Sequence, residues 1–115
     1  QRGDLEEAER NYRRAVEIKP QFAQAHDNLG IVYARRGDIE RAIESFRTAL
    51  RLDPGSCTAA INLGNALEQA GRPEEARREW QLAVERDPTC EGAKRALGGP
   101  WSAAAERVRL RPEGW

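Results

Sequence analysis

The sequence has no methionine, one histidine, two cysteines, and aromatic residues at only 6% of its 115 positions. It has no excess of either charge, with 19 Lys+Arg against 19 Asp+Glu. Each shortage excludes something. His26 with Cys57 and Cys90, and no Cys-x-x-Cys spacing, cannot complete a metal-ligand set, so neither metal nor cofactor is expected. Zero net charge removes the bulk electrostatic case for nucleic acid or an anionic membrane as the main partner. No apolar run approaches the about 18 residues of a membrane span, and no signal peptide is visible. A start at Gln1 and the lack of methionine predict a piece of a longer protein. The two cysteines, 33 positions apart, are expected as small, partly buried thiols in a reducing compartment, a disulfide being the alternative. An intracellular, cytoplasmic location follows from that expectation.

Hydrophobic residues make up 39% of the chain and charged ones 33%, little apolar material for a compact globule. Thin repeat proteins tolerate such a composition, because each unit buries only what it shares with its neighbours. A repeat is in fact present. Gly3, Gly37 and Gly71 are 34 residues apart, as are Pro20, Pro54 and Pro88. Ala8, Ala42 and Ala76 keep the same period, and so do Ala15, Ala49 and Ala83, and the aromatics Tyr12, Phe46 and Trp80.

Every column has a mechanical reason. Glycine just past a helix supplies the left-handed conformation of a tight turn. Asp4 and Asp38 are placed to cap the helix that follows, Asp4 with Glu7 at capping-box spacing, while Pro73 takes a first-turn position. Pro20, Pro54 and Pro88 end the second helix of each pair. Ala42, Phe46 and Ala49 form one buried stripe, and Leu29, Gly30 and Tyr33 form the facing one. The small residues Gly30 and Gly64 let helices approach, and Phe46 and Trp80 fill the space between them. Helices are therefore predicted at 4–18, 21–36, 38–52, 56–70, 73–86 and 89–98.

The run His26-x-x-Leu29-Gly30-x-x-Tyr33, followed by Ala42-x-x-x-Phe46, Ala49 and Pro54, resembles the tetratricopeptide repeat pattern. The next copy, Ala60-x-x-Leu63-Gly64-x-x-Leu67 with Ala76, Trp80, Ala83 and Pro88, departs from it by leucine for the tyrosine and alanine for His26. The resemblance covers residues 1–98. It implies an all-α, right-handed solenoid of antiparallel helix pairs, its first helices lining a concave groove. The expected division is a second half-hairpin at 1–22, full repeats at 23–56 and 57–90, and a partial repeat with an atypical C-terminal cap at 91–115. Within the last segment Gly99-Pro100 interrupts the pattern, Ser102 can restart a short helix, and Trp101, Val108 and Leu110 are its expected packing residues.

The resemblance also implies work: a scaffold, not an enzyme, that binds a partner protein or an extended peptide in the groove. The first helices place Gln24, Asp27, Asn28, Ile31 and Arg35 there, and Thr58, Ile61, Asn62, Asn65 and Gln69 one repeat on, all outside the packing stripe. Asparagine is a poor helix former, so Asn28 and Asn62 at equivalent places ask for a reason. A carboxamide both donates and accepts, and can hold the backbone of an extended segment. Such a ladder is similar to that of the O-linked N-acetylglucosamine transferase type of repeat; Ala96 occupies its third place and breaks it. The basic clamp for C-terminal carboxylates, known in other members, is missing, since Gln24, Asp27, Thr58 and Ile61 are not basic. His26 reads as a satisfied core histidine, and the Arg- and Glu-rich second helices read as solvated faces. Two alternatives stand beside the scaffold: a substrate-recruiting arm of a larger enzyme such as a glycosyltransferase, and a self-assembly module pairing through its ends.

Overall fold

The computed structural model describes residues 2–98, so the readings on 99–115, including Ser102, Trp101, Val108 and Leu110, lie outside the described residues. The described chain is six helices: α1 (Arg2–Ile18), α2 (Ala23–Arg35), α3 (Ile39–Leu52), α4 (Cys57–Gln69), α5 (Pro73–Arg86) and α6 (Glu91–Ala96). Each packs on the next in sequence as an up-and-down array, and there is no strand among the described residues. The array measures 58 × 26 × 18 Å with a radius of gyration of 16.2 Å. A compact domain of this length would have about 13 Å, so the shape is that of a stack.

The turns inside the hairpins repeat almost atom for atom. Gly37 and Gly71 sit at φ +85° and +80°, in the left-handed region. Behind them the Asp38 N–H donates to the Tyr33 carbonyl at 2.9 Å, and the Arg72 N–H to the Leu67 carbonyl at 2.9 Å. These are Schellman-type closures that satisfy carbonyls left free by the helix end. Asp38 then caps α3 by accepting from the Arg41 N–H, Ser56 caps α4 by accepting from the Ala59 N–H at 3.1 Å, and Pro73 opens α5. The capping box expected at Asp4 does not form, because α1 already runs from Arg2 and Asp4 lies in its first turn.

The core follows the columns. Ala42, Phe46 and Ala49 from α3 are buried, and so are Ala76, Trp80 and Ala83 from α5. Leu63 and Leu67 of α4 are the largest fully buried side chains, at the centre of the stack. A Cβ at Gly30 would come within 2.6 Å of Phe46 Cε1, and one at Gly64 would overlap the Trp80 indole. The glycines are therefore the seats for the rings. In α1 the equivalent Ala8, Tyr12 and Ala15 are only half-buried.

Two further expectations fail. Cys57 and Cys90 are not free thiols but a disulfide, with Cα atoms 5.8 Å apart. The period places the starts of α4 and α6 side by side, and that distance lies within the bridging range of about 4.4–6.8 Å. The argument for a reducing compartment loses its footing with them. Nor are all the charges of the second helices solvated. Glu9 of α1 is buried at 8% exposure, ion-paired with Arg36 at the end of α2 and with Arg13 at 3.0 Å.

Candidate functional site

The backbones of the even-numbered helices α2, α4 and α6 approach one another in succession, whereas those of α1, α3 and α5 stay apart and meet only through long side chains such as Arg47 and Glu75. A stack whose one layer is closed and the other splayed must curve, with the closed layer inside. The residues expected in the groove all lie on α2 and α4 of that inner layer.

Sequence spacing alone does not bring them together as one site. Gln24, Asp27 and Thr58 line a cleft of about 240 Å³, floored by Ala49 and Ala59 and edged by Asp53 and Ser56. Asn28, Ile31 and Arg35 line another, of about 490 Å³, whose opposite wall is Asp4, Leu5, Ala8 and Tyr12 of α1. Asn65 and Gln69 are exposed on α4.

Ile31 and Ile61 correct the expectation that no groove residue takes part in packing. Both are half-buried against the core, and Ile61 lies so close under Gly92 of α6 that a Cβ there would overlap its Cδ1. The α6 helix covers this end of α4, which no reading of α4 by itself reveals.

The two asparagines occupy equivalent register but different surroundings. Asn62 Nδ2 donates to both carboxylate oxygens of Asp27, at 3.2 and 3.4 Å, a bridge from α4 to α2. Asn28 has no counterpart bridge among the described residues and faces the cleft beside α1. Burial raises the Asp27 carboxyl above its usual range, and the hydrogen bond from Asn62 opposes that rise without cancelling it. A half-buried carboxylate with a single amide partner thus stands at the middle of the inner face, favouring donors in whatever lies over it.

His26 is half-buried, not a core residue, and its Nε2–H donates to the Pro20 carbonyl at 2.9 Å. That contact ties α2 to the preceding turn. On the splayed side, Arg72 forks onto Glu75 with bonds of 2.6 and 3.1 Å, and Arg47 of α3 reaches the same carboxylate at 3.3 Å. These cations hold Glu75 below its ordinary carboxyl value.

Stacked antiparallel hairpins with a 34-residue period, seated by Gly–aromatic pairs and curved about one layer, define an α-solenoid of helical repeats. The tetratricopeptide repeat family model matches residues 1–57 and 28–89, and the chain belongs to that family. Among solved structures it is similar to an O-GlcNAc transferase of Thermobaculum terrenum, in mutant form, with 32% identity over 83% of this chain and a TM-score of 0.73. It is similar also to MamA, with 27% identity over 91% of this chain and a TM-score of 0.75. The chain spans 18% of the first of these proteins and 61% of the second. No curated protein matches it. The chain is a protein-interaction scaffold, and no helix among the described residues is long and apolar enough to cross a membrane.

Proposed function

We propose that the inner face of α2 and α4 holds an extended segment of a partner protein, with Asn28 and Asn62 meeting its backbone. The observation that carries this reading is the pairing of polar side chains with two open clefts along one curved face. Gln24, Asp27 and Thr58 would take side chains at one cleft, and Asn28, Ile31 and Arg35 at the other. Asn62 keeps its amide oxygen for a ligand N–H while its NH₂ holds Asp27. Asn65 and Gln69 extend the polar row, and Ile61 forms its apolar end against α6. The units of this arrangement are the repeats 23–56 and 57–90, entered from the half-hairpin 1–22.

The test is affinity capture with the natural chain and with Asn28→Ala/Asn62→Ala. The double variant should bind about 1–3 kcal/mol more weakly, the worth of a few peptide hydrogen bonds exchanged with water. The share of affinity that the double variant loses should change little between low and moderate salt, since carboxamides carry no charge. Equal capture by both chains contradicts the reading and turns attention to the splayed side, where Arg51, Leu82 and Arg86 line a cleft of about 630 Å³.

The likeness to repeats of an O-GlcNAc transferase favours a second reading, in which the same face recruits substrate for an attached catalytic domain. Reading the coding sequence on either side of this chain decides it.

A further inference from the structure

We propose that the Cys57–Cys90 disulfide is a redox-operated clasp, whose reduction lets α6 leave α4 and uncovers the apolar end of the inner face. The helix α6 has six residues, far fewer than the about 12–15 a helix needs to persist alone. Its order therefore comes from its attachments. Cys90, its N-cap, makes no side-chain capping bond and spends its sulfur on Cys57 at the first residue of α4. Two residues further on, Gly92 sits on Ile61. Beyond that, only Ala93 and Leu97 are buried among the residues of α6 and its end. After the covalent anchor, Ala93 and Leu97, with half-buried Ala96, hold these six residues on α4 and α5.

The two sulfurs differ in access. Cys90 is 2% exposed, whereas Cys57 is only half-buried. A dithiol reductant would attack Cys57 Sγ, break the S–S bond and release the Cys90 thiolate, which takes up a proton. Its second thiolate then displaces Cys57 from the mixed disulfide. The reductant leaves as its own disulfide, and two electrons and two protons pass to the chain. Without the tether Gly92 lifts from Ile61, and the apolar surface beneath Ala93 and Leu97 opens. Oxidising surroundings keep α6 as the last helix of the inner layer; reducing ones release it and bare the apolar flank of α4 around Ile61.

The clasp is read on the chain alone, so its fate is separate from that of peptide binding. The whole 115-residue chain is equilibrated with oxidised glutathione or with dithiothreitol, and amide exchange is followed by mass spectrometry. Amides of 94–98 should exchange at least about tenfold faster after reduction while those of α3 change less than about twofold, the mark of a local opening. Cys57→Ser/Cys90→Ser should show the fast exchange under both conditions. If that variant does not fold, the two states of the natural chain still give the answer. Two free thiols in the glutathione-treated native chain overturn the proposal. So does equal exchange in both states, or acceleration spread evenly over all six helices, which would make the bridge a global staple.

Discussion

Gly30 with Phe46 and Gly64 with Trp80 are fitted pairs, and they show how much a single residue decides here. Phe46 is 2% exposed and Trp80 3%, and both occupy the same column of the repeat. The indole Nε1–H of Trp80 finds no acceptor among the described residues, so the donor contributes only a desolvation cost. Trp80→Phe should therefore cost no more than about 1.5 kcal/mol in a denaturant titration, as the ring keeps its seat. Gly64→Ala should cost more, about 1–3 kcal/mol, because a Cβ overlaps the ring and the ring is hemmed in. A neutral Gly64→Ala would mean that α4 and α5 are not seated this way. Glu9 makes the opposite point. Its column is filled by buried Ile43 in α3, so Glu9→Ile should be neutral or stabilising, despite losing two ion pairs. A clear loss of midpoint in Glu9→Ile would show that the Arg36 pair holds α1 in place. The glycine and ring columns were legible because a 34-residue period repeats them. Glu9 was not, because a carboxylate at a charged-looking place gives no sign that the next helix will cover it.

At the scale of the helix, the expected boundaries fall within a few residues of those observed, since glycine, proline and capping residues mark them chemically. What one helix does to another was less visible. The absence of a secretory signal argues for free Cys57 and Cys90, whereas the period itself sets the starts of α4 and α6 side by side. Helical stepping assigns Ile31 and Ile61 to a groove, yet it cannot see α6 arriving over Ile61 or the core against which both pack. The Asp27–Asn62 bridge also joins two helices whose contact no stretch of sequence displays. That bridge has a pH signature. Asp27 has a folded value raised by burial, so its contribution to stability is present at low pH and is lost as pH rises through that value. Glu75 and Asp87 run the other way. Glu75 is held below its ordinary 4.5 by Arg72, and Asp87 below 3.8 by Thr89, so their contributions are present above those values and vanish on acidification. Asp27→Asn should thus melt level with the natural chain at about pH 3 and above it at pH 7, where the natural chain must keep a half-buried charge. A variant that melts lower at pH 7 would show the carboxylate to be well satisfied.

The whole molecule is a short stack in which each layer is covered only by its neighbours, so curvature and coverage are properties of the array. Closure of the even-numbered layer makes one face concave, and that face carries the carboxamides Asn28, Asn62, Asn65 and Gln69, whereas the splayed layer is dominated by Arg and Glu. The class of work was readable only through the resemblance of the repeat columns to the tetratricopeptide family, because the columns themselves specify helical hairpins and no more. The groove as a surface was not, since two clefts, one bridge and one covered isoleucine emerge only when helices 34 residues apart are laid together. The central claim is that partners engage this inner face. A photo-cross-linking residue placed singly at Gln24, Thr58, Arg51 or Leu82 tests it most directly, since all four sites are exposed and the first two lie on α2 and α4. The account predicts adducts with the captured partner from positions 24 and 58, and little or none from 51 and 82. Adducts from 51 and 82 alone would contradict it.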